Sequence, residues 1–336
     1  MYSVKCISRL SQVKNIHEFL YQRDGQFPFQ SYAVLKALDS PAYSLMYGPM
    51  KHYVVFDSNG TPVLYLPLRK KGKMATVAGS HTGLDYVDAV YNSVDPRIIG
   101  EAFRTLFSAL NGVESIVWKY MPSSSPSARA IESLIDISLI EPVDNVAIDF
   151  GTLSYEDYFK SLGKQTRQNI RTGYNRARRD GLSVNYEVYG MLGDKPVGSS
   201  DFQRVLRECT SVYKSRQVQR YNHVPSLDAL RVHFHYLSRS IDNSNGFLAV
   251  LRVNDVVASF MEGYVDTDNA AVEIPRLAIS QDMARLSPGM LLVNETAKLI
   301  CSSDTVSCLN LLRGSESYKL KMGGQVYTTW NIEVHL

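Results

Sequence analysis

The chain has 336 residues, 45% apolar and 21% charged, with a formal net charge of +3. That length exceeds what one ordinary core needs and fits two domains, while the composition is that of a folded globular protein and excludes general disorder. The mild charge does not by itself imply nucleic acid, so any basic argument has to be local. Residues 1–19 carry polar groups every few positions and lack the apolar run of a signal peptide, and no membrane-spanning apolar stretch is present. The expected address is cytoplasmic. Cys6, Cys209, Cys301 and Cys308 are scattered without a CxxC pair, which reads as reduced thiols.

In chain order, the first forty residues read as two helical pieces. Two β-rich runs then flank Asp57-Ser58-Asn59-Gly60, a hairpin signal. A strand over 74–79, a helix over 98–110, a strand over 115–121, a helix opened by Ser125-Pro126 and a strand over 145–150 follow. After Phe150 the composition shifts: Lys160, Lys164, Arg167, Arg171, Arg176, Arg178 and Arg179 fall between Asp157 and Asp180 with no acid among them. On a helix, Lys164, Arg167, Arg171 and Arg178 make one cationic face. Such a face is either solvated or meets a coenzyme A 3′-phosphate, a nucleotide-linked sugar, tRNA or an anionic membrane surface.

Gly181 ends that helix and a strand resumes over 182–189. Two amphipathic helices come next, one around Phe202, Val205, Leu206, Cys209 and Val212, the other around Leu227, Leu230, Phe234, Leu237 and Ile241 with Ser226 as its cap. Strands over 247–253, 256–265 and 269–279 lead to a helix over 288–300, a strand over 306–312, the stretch "LLRGSESYKLKMGG" and a last strand. Both halves share a layout of antiparallel meander, helix and strand. The division is placed at residues 1–150 and 151–336, and the class is α/β (α+β).

The sharpest local signal is "RLSPGMLLVNE". Ser287 stands at an N-cap position, Pro288 at the first helical position and Gly289 beside it, so the N–H groups of Gly289, Met290 and Leu291 are expected to point out of the helix start and suit a phosphate. Metal chemistry finds no support: His233 and His235 are two apart on a predicted helix and face different ways. His223, in the loop between the two helices, is a candidate for lining an acceptor pocket. There is no GxSxG elbow and no Gly-x4-Gly-Lys-Ser/Thr loop.

The segments "KQTRQNIRTGYNRARRDG", "LSPGMLL" and "LNLLRGSESYKLKMGG" together resemble a GNAT-superfamily acyltransferase, more narrowly its FemAB/CelD-like branch, in which two GNAT-like domains stand in tandem. "LPLRKKGKMATVAGSHTGLDYVDAV" in the first half is similar to the same branch. The resemblance implies two mixed, mostly antiparallel sheets flanked by helices. It implies an acyl-CoA, acetyl-CoA by default, with its pyrophosphate on Arg285, Ser287, Gly289, Met290 and Leu291. The loop departs from the usual Arg/Gln-x-x-Gly-x-Gly/Ala form by having one glycine and a proline.

The resemblance further implies Tyr318 as the general acid, protonated at neutral pH, and Glu273 as the base, with Glu262 its rival. Asp85, Tyr86 and Asp88 are expected at the acceptor, with Arg313 and Lys319 contacting substrate. The implied activity is acyl transfer to an amine of an amino sugar or a cell-envelope or polysaccharide precursor. The alternatives are a FemAB-like transfer from aminoacyl-tRNA to a peptidoglycan precursor, which the basic helix suits, and a binding protein that keeps the fold without catalysis. Peripheral membrane contact is compatible with the first two.

Overall fold

The computed structural model describes residues 2–21, 26–80, 84–133, 137–221 and 245–336. They form two compact units, Met1–Asp144 with Thr328–Leu336, and Asn145–Tyr327. In the first, β1 (Ser3–Ile7), β2 (Met50–Phe56), β3 (Pro62–Lys71) and β4 (Met74–Val77) are an antiparallel series, with β5 (Val90–Tyr91) also on β3. β6 (Ser115–Pro122) runs parallel to β4 after the helix Pro96–Ser108. Residues 3–7, expected in a helix, are this first strand, because their alternating pattern pairs along the edge of β2.

The second unit repeats the plan. β7 (Ile137–Asp149) contributes its last residues, Asn145–Asp149; β8 (Val184–Gly190), β9 (Gly246–Val253), β10 (Val256–Asp266) and β11 (Ala271–Ile279) are antiparallel in series. The helix Pro288–Cys301 crosses to β12 (Cys308–Arg313), parallel to β11, and β12 pairs antiparallel with β7. A parallel neighbour needs such a crossover, and in both units a helix begun by proline supplies it. The last strand, β13 (Gln325–His335), pairs residues 329–335 with β6 of the first unit. Each unit thus takes its final strand from beyond the other's parallel pair, which a single division at residue 150 leaves out.

Local chemistry fixes the meanders. Asp57 Oδ1 accepts from the N–H of Asn59 (2.9 Å) and Thr61 (2.8 Å), closing the β2–β3 hairpin. Asn254 and Asp255, with φ of 47° and 64°, make the left-handed two-residue turn that matches strand twist between β9 and β10.

The second core packs Leu291, Leu292, Val293 and Ile300 of the crossover helix onto Phe247, Leu251, Met261 and Val272 of the sheet. Each such side chain contributes about 1.5–3 kcal/mol when fully buried. The basic helix, Lys164–Arg179, buries Thr166, Ile170, Gly173 and Ala177 at helical spacing. At Gly173 a Cβ would lie 2.6 Å from the Leu286 carbonyl, so this helix docks only with glycine there. The helix Ser200–Tyr221 buries Phe202, Val205, Leu206 and Cys209 as its pattern predicts. Its Glu208, with Glu187 of β8, pairs the buried Arg252 at 2.7 and 3.0 Å.

Candidate functional site

β11 and β12 stay paired for only three rungs, Ala271–Cys308, Val272–Leu309 and Glu273–Asn310. On β12, Asn310 Oδ1 accepts the Leu312 N–H at 3.0 Å and the Tyr327 hydroxyl at 2.8 Å, and Leu312 turns to a φ of 50°. A non-glycine residue in that region is strained, and such strain collects at functional sites. On the other side, β10 bulges at Gly263, where a Cβ would meet the Glu273 carbonyl at 1.8 Å. Pro275, which has no N–H to offer a neighbour, falls beside the bulge where β12 has already left.

Beyond the last rung the strands part around a cavity of about 200 Å³. β11 supplies Ile274, Pro275, Arg276 and Leu277; β12 and the turn after it supply Leu311, Arg313 and Glu316. Tyr318 and Lys319 of the short helix Ser317–Lys321 close one end, and Tyr213, Arg216 and Gln217 of the helix Ser200–Tyr221 face them.

Burial, with the Glu316 carboxylate adding and Arg216 opposing, raises the Tyr318 hydroxyl above its ordinary value near 10. It keeps its proton at neutral pH. The Lys319 ammonium shares its three N–H donors among the carbonyls of Leu311 (2.9 Å), Leu312 (3.2 Å), Arg313 (2.6 Å) and Gly314 (2.9 Å) and the Glu316 carboxylate at 3.0 Å. Expected as a substrate contact, it is instead committed to holding the turn in which Gly314, at φ 90°, leaves room for the Glu316 carboxylate. Glu262, the rival base, is fully buried and bound to Arg276 at 2.8 Å, while Arg276 stacks 4.9 Å from the Tyr213 ring centroid. The ion pair, with the Tyr213 ring against its guanidinium, forms part of the cavity wall.

Residues 164–320 match the family model described as an acetyltransferase (GNAT) domain. The fold is similar to that of FemX (7% identity, 99% of this chain and 97% of that one, TM-score 0.59). It is also similar to a conserved Bacteroides thetaiotaomicron protein of unknown function (12%, 100% of each chain, TM-score 0.59) and to L-PGS from Bacillus licheniformis (13%, 96% and 91%, TM-score 0.50). Residues 164–320 are thus similar to a GNAT domain, and the fold of the chain is similar to that of FemX. No curated protein sequence matches it significantly.

The helix start expected to carry a GNAT donor's pyrophosphate is largely closed. Ser287 has a φ of 53° and makes no side-chain cap, and its carbonyl takes the N–H of Met290 at 3.0 Å and of Leu291 at 3.2 Å. Of the three expected donors only the Gly289 N–H is left, and a Cβ on Gly289 would lie 3.1 Å from Ile279. The glycine therefore serves packing against β11 rather than approach of an anion. The Arg285 side chain pairs Asp180, and its carbonyl accepts from Arg176 at 2.7 Å. A multi-donor pyrophosphate cradle does not fit these residues.

Glu273, 2% exposed, stands at the last rung behind the cavity, and its carboxylate helps burial push the Cys308 thiol up to about 12. Asp85, Tyr86 and Asp88 are buried in the first unit. Tyr86 packs on Phe27 and Phe29, its carbonyl takes the Gln30 side-chain amide, and burial pushes the Asp88 carboxyl up to about 7. They pack within their own unit. His223, with His233 and His235, lies outside the described residues. Among the described residues no His, Cys, Asp and Glu group is placed to hold a metal, and no helix is long and apolar enough to cross a membrane. Sequence reasoning missed Tyr213, Arg216, Gln217 and Arg276, since only packing of helix on sheet brings them to the cavity.

Proposed function

We propose that the second unit is an N-acyltransferase whose reaction takes place between the parted strands β11 and β12. The observation that carries this reading is the opening of the strands directly onto Tyr318. A neutral amine attacks the acyl carbonyl, and collapse of the tetrahedral intermediate expels the donor's leaving group, which takes a proton from the Tyr318 hydroxyl. Glu273, enclosed behind the cavity, draws the amine's proton through water. The acceptor is an amine of an amino sugar or of a cell-envelope or polysaccharide precursor, in keeping with the family.

For the donor, an aminoacyl ester of tRNA is better supported than acyl-CoA. The helix start has one open N–H where a pyrophosphate needs several. A phenol held above 10 is poorly matched to a thiolate near 8.5 and closer to an alkoxide. The basic helix leaves Lys164, Arg171 and Arg178 exposed, as a polyanion requires, although Arg167 is turned back onto the Lys160 carbonyl at 2.6 Å.

Calorimetry of the full chain with acetyl-CoA and, separately, with enzymatically charged tRNA decides the donor. Tight acetyl-CoA binding reverses the preference for tRNA. With the productive donor, Tyr318→Phe is expected to slow turnover about 10²-fold or more with affinity unchanged. Unchanged turnover removes Tyr318 from the mechanism.

A further inference from the structure

Among the described residues, the cavity between β11 and β12 is lined by Arg216, Arg276, Arg313 and Lys319 and by one carboxylate, Glu316. Arg276 is satisfied by Glu262, and Lys319 by four carbonyls and Glu316. Arg216 is different: half-buried, it lines the cavity close enough to act on the Tyr318 hydroxyl, and it has no hydrogen-bond or ion-pair partner among the described residues. A guanidinium presents a planar fork of donors that suits a carboxylate or phosphate, and withdrawing it from water without a partner is costly. Arg313 faces the same space from the β12 side, while Ile274, Leu277 and Leu311 offer an apolar wall beside both.

We infer that this cavity selects an acceptor amine that carries its own anionic group, a carboxylate or a phosphate, which Arg216 and Arg313 hold while the amine lies toward Tyr318. The inference rests on the reading of this cavity as the transfer site. Arg216 acts as the specificity-determining contact, and Gln217, its neighbour in the same wall, offers an amide to the same group. Neutral amines of equal size lack the group that would pair with Arg216.

Matched pairs test this by calorimetry on the full chain: glucosamine against glucosamine 6-phosphate, and alanine amide against alanine. One anionic member is expected to bind about 10- to 100-fold tighter than its neutral partner, the range for a charge-assisted hydrogen-bonded contact. Whichever pair shows the preference tells phosphate from carboxylate. Arg216→Gln is expected to abolish the preference and leave the neutral member's affinity unchanged, and Arg216→Lys to restore part of it. Equal affinity within both pairs, or a preference that survives in Arg216→Gln, overturns the inference. If Arg216→Gln does not fold, competition in the native chain decides, since failure of millimolar inorganic phosphate to weaken the anionic amine's binding overturns it as well. A chain that prefers the anionic amine yet transfers no acyl group sinks the transfer reading alone; one that acylates neutral amines equally well sinks the inference alone.

Discussion

The two units solve the same topological problem in opposite ways. Each has a parallel pair of three rungs, β4–β6 in the first and β11–β12 in the second, joined by a helix that begins with proline. Each kinks its second strand at a positive φ, Tyr120 at 60° and Leu312 at 50°, and satisfies the kinked N–H with an asparagine oxygen, Asn331 and Asn310. In the second unit the strands then part around the cavity. In the first, the chain after β4 fills the corresponding place. Ser80 Oγ accepts the Lys119 N–H at 3.1 Å, the Trp118 indole donates to the Val87 carbonyl at 2.7 Å, and Tyr86 and Asp88 are buried there. One backbone plan thus yields a reactive gap or a plugged one, depending on what the loop after the third rung contains.

If the open gap is held by charge and the closed one by burial, removing one group from each separates them. The largest effect is expected at Glu262, whose loss takes from the buried Arg276 the carboxylate that pairs it at 2.8 Å. Glu262→Ala should cost about 3–5 kcal/mol in denaturant unfolding, and replacing both partners by Met and Leu should recover much of it. An unchanged midpoint for the single variant would remove the pair as the support of the cavity wall.

Asp88 tests the plug. Its carboxyl is raised from 3.8 to about 7, chiefly by burial and against the nearby Ser127, Ala89 N–H and Ser125, so the folded unit keeps a proton that the unfolded chain gives up. This contribution is fully present below pH about 4 and is lost as pH rises through about 7, up to roughly 4 kcal/mol in all. Asp88→Asn, which stays neutral, should flatten unfolding midpoints measured across that window and raise stability above it. A wild-type profile flat between those pH values would mean that Asp88 is ionised in the fold. Trp118→Phe is a smaller cut, costing about 1–3 kcal/mol because the Val87 carbonyl loses its buried donor. Acceptor binding in the second unit should not change.

What the sequence disclosed follows from how local each cause is. The Asp57–Gly60 and Asn254–Asp255 turns, the helix starts at Ser125-Pro126 and Ser287-Pro288 and most strands after residue 50 depend on neighbours in the chain and were legible in it. The parting of β11 from β12 was expected only through the family resemblance, and its cause, the bond from Leu312 to Asn310, is visible only in the fold. Asp85, Tyr86 and Asp88 were expected at an acceptor only through the family resemblance, and their burial is visible only in the fold. Arg216 stayed hidden for the complementary reason. It lies on the helix Ser200–Tyr221, whose facing partner, β11, is far along the chain.

The subtlest test compares the two proline-led helix starts. Asp95 precedes Pro96 with an extended φ of −74°, and its carboxylate accepts the Arg97 N–H at 2.9 Å, a working cap. Ser287 precedes Pro288 in the left-handed region and caps nothing with its side chain. The same sequence signal, a small polar residue before proline, therefore has two structural meanings. Asp95→Ala should lower stability, whereas Ser287→Ala should leave it nearly unchanged. Ser287→Gly should raise it by about 1 kcal/mol, because glycine enters that conformation without the clash of a Cβ. If Ser287→Ala is as damaging as Asp95→Ala, the serine hydroxyl does cap the helix in solution. The N–H groups of Met290 and Leu291 would then be arranged differently from the closed start that argues against a pyrophosphate.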